Sequence, residues 1–325
     1  MIKYLHQSSY GTRPEYSVQA AIDAASPGDT VDVLAGIYDE NIVINKPIIL
    51  RGIFGGSGGT KPVLNVGGQN GIGITINADG VVVNGFNITK RCQPDSQPEG
   101  AGIWVRSGNT TISNSSISNF STGISLHRSA NNAVINNDIC ESGYGITLDR
   151  SDNNTIAGNI IHDNMPVSYP TVEGKAGTGL YLRSSKNNLI KDNTISGNGE
   201  GIVLISSSSN LLKGNMATNN IQGIRLENLS TDNIIVDGDI YFNGFGLRIF
   251  GSNGNTIFHN NFGNNYRIDV YDEGNNLWDN GAIGNFYSGF ACQARDGRIC
   301  EYARRIPGGA NADSYPLAHE AMSIR

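Results

Sequence analysis

Two short phrases alternate along most of this chain, and both show the apolar–polar alternation of a β-strand with one buried face. The first phrase is a glycine followed by Ile or Leu, a variable residue and a second aliphatic residue. Its copies begin at intervals of 21, 22, 34, 22, 22 and 23 residues, at Gly102, Gly123, Gly145, Gly179, Gly201, Gly223 and Gly246. A period near 22 residues is typical of a solenoid, in which successive turns stack.

The second phrase, Asn-Asn-x-Ile-x-x-Asn-x-Ile, follows the first in each unit, most clearly at 131–139, 153–161 and 187–195. Neither phrase has a helical i, i+3, i+4 stripe, and the Asn, Gly and Ser between the phrases favour tight turns. One unit cannot bury its own apolar face, so the units must stack. We therefore predict an all-β fold: a single-stranded right-handed parallel β-helix with coils of about 22 residues.

Stacking also predicts an internal column of asparagines, because amide side chains of successive coils hydrogen-bond along such stacks. We place Gly238 in this column, and we expect a local irregularity there. The predicted members are Asn114, Asn137, Asn159, Asn193, Asn215 and Asn260.

The chain divides into three predicted parts. Residues 1–29 form an irregular lead-in and a short capping helix over Ser17–Ala25, which Pro27 and Gly28 end. Residues 30–281 form the β-helix, and 282–325 form an irregular C-terminal cap. A helix at this place covers the apolar end of the first coil, which would otherwise be exposed.

Two insertions interrupt the period, at 90–101 and 162–178. Both come just before a copy of the glycine phrase, so both loops are expected to leave the coil along the same edge, about 14 Å apart. Loops added to one face of a solenoid often wall a binding site.

The composition of the chain limits the classes of binding partner to be expected. The net charge is −6 and the pI is about 5.4, with no long basic run, so nucleic acid is not the expected partner. No apolar run has the roughly 20 residues of a membrane span. The N-terminus lacks the apolar core of a secretory signal, so either the protein stays inside the cell or a signal has been removed.

Four cysteines allow three pairings. Cys292 and Cys300 enclose a short C-terminal loop and are the predicted disulfide, and Cys92 with Cys140 is the second candidate pair. Four reduced thiols remain the alternative. Disulfides would favour an oxidising compartment, and hence an extracellular or cell-surface location.

The variable residues of the glycine phrase point outward, because the aliphatic residues beside them point inward. Neighbours in an outward column lie about 4.8 Å apart on successive coils. The first column is Trp104, Ser125, Thr147, Tyr181, Val203, Arg225 and Arg248, and the second is Arg106, His127, Asp149, Arg183, Ile205, Glu227 and Phe250. The two inserted loops flank the first half of both columns.

These columns suit an acidic polysaccharide. Arg106 and Arg183 can pair with uronate carboxylates, which acidifies the C5 proton. His127 or Tyr181 could then remove that proton, with Asp149 orienting His127. The predicted substrate-binding residues are Trp104, Tyr181, Arg225, Glu227 and, from the second insertion, Tyr169. A glycoside hydrolase would need a second carboxylate near Asp149, and none is evident.

Three segments carry a resemblance to a known group: 18–52, the Asn-rich repeats, and the tail from 278 to 317 with its Trp-Asp-Asn-Gly, Gly-Asn-Phe-Tyr-Ser and Tyr-Pro-Leu motifs. They resemble NosD-like and related carbohydrate-associated β-helix proteins. The resemblance implies the fold and leaves the activity open among binding proteins, lyases, epimerases and surface proteins. Such tails often carry an acidic stretch, which 291–306 of this chain replaces with arginines and two cysteines. A calcium site is therefore doubtful.

The predicted function is binding of a polysaccharide or cell-surface glycan, with uronate lyase or C5-epimerase chemistry as its enzymatic form. The alternative is a structural or adhesive surface module that forms homo-oligomers or arrays. No cofactor or metal is predicted, since the five histidines show no paired ligand spacing and copper rests on the NosD name alone.

Overall fold

The computed structural model describes residues 2–5, 17–55, 59–68, 71–90, 100–164, 177–295 and 297–321. Within these ranges the chain is a parallel β-solenoid of about ten turns with one short helix. Each regular turn contributes one strand to each of three parallel sheets, so that a turn passes from sheet 2 to sheet 1, then to sheet 3, and back to sheet 2. The predicted fold class is confirmed.

Sheet 1 has eleven strands in the described part of the chain. They are β1 (Ile2–Leu5), β2 (Thr30–Leu34), β5 (Ile49–Ile53), β8 (Val82–Asn84), β11 (Thr111–Ser113), β14 (Ala133–Ile135), β17 (Thr155–Ala157), β20 (Leu189–Lys191), β23 (Leu211–Lys213), β26 (Ile234–Val236) and β29 (Thr256–Phe258).

Sheet 2 carries the copies of the glycine phrase and has ten described strands. They are β4 (Ile42–Ile44), β7 (Ile74–Ile76), β10 (Ala101–Val105), β13 (Thr122–His127), β16 (Tyr144–Asp149), β19 (Thr178–Arg183), β22 (Glu200–Ile205), β25 (Gln222–Glu227), β28 (Phe245–Ile249) and β31 (Ile268–Asp272).

Sheet 3 also has eleven described strands. They are β3 (Ile37–Tyr38), β6 (Val63–Val66), β9 (Asn87–Lys90), β12 (Ser116–Ser118), β15 (Asp138–Cys140), β18 (Ile160–His162), β21 (Thr194–Ser196), β24 (Met216–Thr218), β27 (Asp239–Tyr241), β30 (Asn261–Gly263) and β32 (Phe286–Tyr287). Two further strands, β33 (Arg304–Arg305) and β34 (Ala312–Asp313), form a separate antiparallel pair.

Equivalent residues of successive coils are direct neighbours. Ile124 pairs with Ile146 in sheet 2, and Ile146 pairs with Leu180 across the second insertion. All three side chains are fully buried, as are their counterparts in the other sheets, so the aliphatic columns fill the interior of the solenoid. The register that the 22-residue period predicts is therefore present.

The glycine of the repeated phrase lies where the chain turns into sheet 2, and its lack of a side chain is required there. A Cβ on Gly123 would lie 2.5 Å from Cγ2 of Ile139 and 2.6 Å from the carbonyl oxygen of Gly145. Both atoms belong to the packed interior and cannot move away cheaply. This close approach explains why every regular coil repeats the glycine.

Buried asparagines form hydrogen-bonded ladders between the coils. Asn137 donates its amide to Oδ1 of Asn159 at 3.1 Å, and Asn159 donates in turn to Asn193. The predicted column is confirmed with one correction: Ser115, not Asn114, is the neighbour of Asn137, and Asn114 instead adopts a positive φ of 53°. Asn114 was assigned to the column because it is the only Asn in the turn before β12, where Ser115 occupies the ladder position.

Two further asparagine ladders and a serine ladder were not predicted. One ladder passes through Asn132, Asn154, Asn188, Asn210, Asn233, Asn255 and Asn276, and another through Asn164, Asn198, Asn220, Asn243 and Asn265. Buried Ser129, Ser151, Ser185, Ser207, Ser230 and Ser252 follow one another beside the first of these. In most of the turns between sheets, backbone N–H groups thus donate hydrogen bonds to side-chain oxygens of the next coil.

The N-terminal end is closed by helix α1 (Val18–Ala24). The Ser17 hydroxyl caps it by accepting from the Ala20 backbone N–H, and the Glu40 carboxylate accepts from the first two helical N–H groups. Val18 and Ile22 are buried in the core cluster, which agrees with the predicted capping role. The lead-in is not wholly irregular, because β1 pairs in parallel with β2.

The C-terminal cap is stapled by the predicted Cys292–Cys300 disulfide, with the two Cα atoms 5.6 Å apart. β32 extends sheet 3 beyond the predicted boundary at residue 281. Its Tyr287 stacks on Phe262, and the Arg304 guanidinium lies 3.9 Å from the Tyr287 ring. These aromatic side chains cover the apolar end of the last coil.

The second candidate cysteine pair, Cys92 with Cys140, lies only partly within the described residues. Cys140 is a free, half-buried cysteine in β15, and Cys92 lies outside the described residues. Along the ranges that the structure describes, no helix combines the length and the apolar character needed to cross a membrane.

Candidate functional site

The candidate site is the outward face of sheet 2. Cα pairing joins Trp104, Ser125, Thr147, Tyr181, Val203, Arg225 and Arg248 in one column, and His127, Asp149, Arg183, Ile205 and Glu227 in the next. Arg106 and Phe250 directly follow β10 and β28, at the ends of the second column. The period-2 alternation thus places both predicted columns as expected.

A third outward column was missed. It contains the residues just before each glycine: Thr122, Tyr144, Thr178, Glu200, Gln222 and Phe245. The signal was available, because alternation continues one step back from a buried glycine and makes the preceding residue point outward. This column supplies several contacts described below.

His127, Asp149 and Arg183 form one contacting polar group across three successive strands. Nδ1 of His127 lies 3.0 Å from Oδ2 of Asp149, and Nε of Arg183 donates to Oδ1 of Asp149 at 2.8 Å. Asp149 is only 16% exposed, whereas Arg183 is 55% exposed. One carboxylate therefore contacts an imidazole with one oxygen and a guanidinium with the other, and more than half of the Arg183 side chain remains exposed.

The electrostatics of this group keep Asp149 ionised. Its pKa lies below the ordinary value, chiefly because Arg183 donates a hydrogen bond to it, with burial opposing and the charges of Arg183 and His127 assisting. The pKa of Arg183 is raised by the same contact. An anionic Asp149 carboxylate 3.0 Å from Nδ1 of His127 favours the tautomer that is protonated on Nδ1, and this tautomer leaves the lone pair on Nε2 for a general base.

Aromatic rings lie on both sides of the His127 group. Trp104 packs against the His127 ring with centroids 6.5 Å apart, and the exposed Arg106 lies over Trp104 at 5.1 Å. On the other side, the rings of Tyr144 and Tyr181 are 5.5 Å apart. Burial, and then Tyr144, raise the pKa of Tyr181, so its hydroxyl stays protonated.

A second charged group lies further along the same face, and we call Glu200, Arg225 and Glu227 the acidic group. One terminal nitrogen of Arg225 is 2.7 Å from Glu200, and the other is 2.5 Å from Glu227. Both carboxylates thus meet at one guanidinium, and the trio carries one net negative charge. Val203, although it points outward, is fully buried beside it.

A third group, which we call the distal cationic group, consists of Arg248 and Arg267 around Phe245. The Arg248 guanidinium lies 3.9 Å from the Phe245 ring centroid, and that of Arg267 lies 5.2 Å away. Arg248 donates to Oε1 of Gln222 at 2.6 Å. In the described part of the chain neither arginine forms an ion pair with a carboxylate. Burial, and then the charge of Arg225, lower the pKa of Arg248.

The predicted residues therefore fall into two sets. Arg106, Trp104, His127, Asp149, Arg183 and Tyr181 gather near β10 to β19, whereas Arg225 and Glu227 lie further along with Glu200. Tyr169 lies outside the described residues. Among the residues that are described, no group of three or more His, Cys, Asp or Glu side chains could hold a metal ion.

Sheet 3 also carries a titratable cluster around His162. His162 lies between Asp138 at 3.1 Å and Asp163 at 2.7 Å, and Cys140 pairs with it across the strands. Burial and three neighbouring carboxylates raise the pKa of Cys140 to about 11. The thiol is therefore protonated at neutral pH and is a poor nucleophile.

The fold and the outward face of sheet 2 together define this chain as a parallel β-helix in which one sheet face carries polar and aromatic side chains. Residues 167–292 match the sequence profile described as "Periplasmic copper-binding protein (NosD)". Residues 63–174 match the profile described as "Right handed beta helix region". The resemblance expected from the repeats and the tail is thus confirmed. No curated protein sequence matches the chain.

Solved structures with the same fold include carbohydrate-active proteins. The A-module of mannuronan C-5 epimerase AlgE6 from Azotobacter vinelandii has a TM-score of 0.65 at 18% identity, covering 78% of this chain and 74% of that one. DFA-IIIase from Arthrobacter chlorophenolicus A6 has a TM-score of 0.62 at 14% identity, covering 75% and 72%. The periplasmic alginate epimerase AlgG has a TM-score of 0.55 at 14% identity, covering 86% and 72%. At these identities the likeness concerns the fold.

Proposed function

We propose that this protein binds an acidic polysaccharide along sheet 2 and removes the C5 proton of a bound uronate, as uronate lyases and C5-epimerases do. The carrying observation is the contact of His127 and Arg183 with the same Asp149 carboxylate, at 3.0 and 2.8 Å. This arrangement offers a base on β13 and a carboxylate-binding cation on β19, the two strands that flank β16.

The chemistry follows from the protonation states. Arg183 pairs with the uronate carboxylate through its terminal nitrogens and so stabilises the negative charge that develops when C5 loses its proton. Nε2 of His127 accepts that proton, and Asp149 stabilises the imidazolium. In a lyase, the electron pair left on C5 then forms a C4–C5 double bond as the C4–O bond breaks. In an epimerase, C5 is reprotonated from its opposite face.

The tyrosine pair suits the donor role in either outcome. The raised pKa of Tyr181 keeps its hydroxyl protonated at neutral pH, so the sequence-based alternative of Tyr181 as the base is the weaker one. His127 leans towards Asp149 on β16, and Tyr181 contacts Tyr144 on the same strand, so the two side chains flank β16. A sugar over Thr147 would lie between base and donor.

Trp104, and the exposed edges of Tyr144 and Tyr181, offer flat apolar surfaces to sugar rings, which supports binding along this face. The names of the similar structures include two epimerases of acidic polysaccharides, which favours the same substrate class. The disulfide and the periplasmic description of the matching profile favour a location outside the cytoplasm.

The test uses polyuronates in deuterated buffer. Nuclear magnetic resonance would detect exchange of the C5 proton with solvent, and ultraviolet absorbance would detect unsaturated lyase products. His127→Ala should lower the exchange rate by roughly 10²–10⁴-fold. Lys191→Ala, which removes a positive charge from the outer face of sheet 1, should leave it unchanged. Absence of binding to any acidic glycan, with Arg106→Ala and Arg183→Ala equal to wild type, would refute the proposal.

The rival proposal is a structural or adhesive surface module. It requires extensive contacts between copies of the chain, so analytical ultracentrifugation should show concentration-dependent association if it holds. A strict monomer that binds acidic glycans through Arg183 would favour the polysaccharide proposal.

A further inference from the structure

We infer that the acidic glycan bound on sheet 2 is a heteropolysaccharide in which neutral sugars separate the acidic ones, with one carboxylate at Arg183 and the next at the distal cationic group. This inference rests on the proposed function and specifies its substrate class. Three features of the outward face carry it: a cationic site at each end and an acidic group between them.

The distal cationic group is equipped to receive an anion. Arg267 is exposed, and Arg248 has only the neutral Gln222 as a hydrogen-bond acceptor. Both guanidinium groups lie against Phe245, and Arg248 also lies 5.4 Å from the Phe250 ring. Ring contacts of this kind fix the orientation of a guanidinium while its N–H groups stay available to a ligand. Within the described ranges neither arginine forms an ion pair, and Glu200 and Glu227 act on Arg248 only as more distant charges, so the two neighbouring guanidinium groups favour a bound carboxylate.

The spacing between the cationic sites is fixed by the fold. Arg183 is on β19 and Arg248 is on β28, and the sheet order places β22 and β25 between these strands. Three inter-strand steps correspond to about 14 Å along the solenoid. Arg106, just after β10, is separated from Arg183 by the same number of steps. A glycan that lies along the axis would therefore meet positive charge at regular long intervals.

The acidic group occupies the interval between Arg183 and the distal cationic group. Arg225 is already neutralised by Glu200 and Glu227, and the trio retains one net negative charge. A uronate placed here would face like charge, which selects against a polymer that carries a carboxylate on every sugar. A neutral sugar instead offers hydroxyl groups, which can donate hydrogen bonds to the two carboxylates.

The experiment compares two probes by isothermal titration calorimetry at one ionic strength. The first is polygalacturonate, in which every sugar is acidic. The second is a synthetic spaced polymer, in which each glucuronate is followed by two neutral sugars, so that its carboxylates recur at about the 14 Å spacing of the cationic sites. Wild-type protein should bind the spaced polymer at least tenfold more tightly per site. Equal affinities, or a preference for polygalacturonate, would overturn the inference.

Variants then show which residues determine the preference for one polymer over the other. Glu200→Gln with Glu227→Gln should raise the affinity for polygalacturonate roughly tenfold and change binding of the spaced polymer little. Arg248→Ala should weaken binding of the spaced polymer roughly tenfold, and so should Arg267→Ala, which alters an exposed side chain at the edge of the Phe245 ring. Lys191→Ala is the matched control. No change in the ratio of the two affinities in any of these variants would also overturn the inference.

The outcome separates the two proposals. If both polymers bind equally and Arg183→Ala weakens both, the proposed function holds and the inference about spacing fails. If neither polymer binds, both fail.

Discussion

At the residue scale, buried asparagine amides form hydrogen bonds with the backbone polar groups in the turns of the solenoid, which an apolar core cannot do. Asn193, for example, receives hydrogen bonds from the backbone and side chain of Asn159 and donates its own amide to Asn215 and to the carbonyl of Ile156. Each buried amide thus satisfies groups on three coils, and removing one would leave several polar groups without partners.

Gly238 interrupts one of these ladders, as the sequence predicts. Its backbone N–H still donates to Oδ1 of Asn260, so the register is kept, but the glycine offers no amide to Asn215. Gly238→Asn should restore the missing side chain. A Cβ there would lie 3.1–3.3 Å from its nearest neighbours, which demands shifts of a few tenths of an ångström.

Gly238→Ala is the matched control, because it adds the same Cβ without the amide. Urea denaturation should give Gly238→Asn a higher unfolding free energy than Gly238→Ala, by about 1–2 kcal/mol. An Asn variant no more stable than the Ala variant would show that the interrupted ladder costs nothing.

The outward residues also show what the sequence could predict. Columns such as His127, Asp149 and Arg183 follow directly from the period, because one coil equals one step along the sheet. The partnership of Glu200 with Arg225 could not be read from a column, because it runs diagonally between two columns and two coils. It depends on the reach and direction of long side chains.

At the scale of elements, the C-terminal cap is joined to the last coils by a buried carboxylate. Asp313 on β34 accepts from the Asn285 backbone, from the Tyr287 hydroxyl at 3.1 Å and from the Tyr315 backbone. Burial nevertheless raises the pKa of Asp313 to about 6. The native cap therefore binds a proton that the unfolded chain releases at lower pH.

This shift predicts how stability depends on pH. The contribution of Asp313 is fully present below the ordinary value of 3.8 and is lost as pH rises through about 6. It amounts to roughly 3 kcal/mol. The unfolding free energy, followed by Trp278 fluorescence in urea, should therefore fall between pH 4 and pH 7.

Asp313→Asn should flatten that dependence, although it lowers stability overall because the amide loses an acceptor. The depressed pKa of Asp149 acts in the opposite sense and outside this window, since its contribution is lost only as pH falls below its ordinary value. An equally steep pH dependence in Asp313→Asn would assign the effect to another group.

The sequence predicted some secondary-structure elements and missed others, and the difference has physical reasons. The capping helix was recognisable from Val18 and Ile22 on one face, and both are buried. The strand Ile2–Leu5 was missed because an edge strand that joins an existing sheet needs little pattern of its own. The C-terminal cap has no period from which packing could be inferred, yet its disulfide follows from the short separation of Cys292 and Cys300.

At the scale of the whole molecule, each coil contacts mainly its two neighbours, so cooperative unfolding depends on the weakest interface. The only two tryptophans report on opposite ends: Trp104 lies on β10, and Trp278 follows β31. In each of the variants Trp104→Phe and Trp278→Phe, the denaturation curve from the remaining tryptophan should coincide with the curve from far-ultraviolet circular dichroism if the solenoid unfolds as one unit.

Leu204→Ala should separate those curves. Leu204 is fully buried between the two tryptophans, and the cavity should cost about 2–5 kcal/mol at a central coil. Leu229→Ala is the matched control, because Leu229 is 71% exposed and the same change should leave the curves together. Curves that stay coincident in Leu204→Ala would show that coupling between the halves exceeds the loss.

The identical translation of every coil has a last consequence. The gap between the cationic positions is set by the number of intervening repeats rather than by the reach of any side chain. Duplication or loss of one complete repeat would lengthen or shorten that gap by about 5 Å without disturbing the packing of the others. Descendants of such a gene could thus acquire a preference for a different sugar repeat through a change in copy number alone.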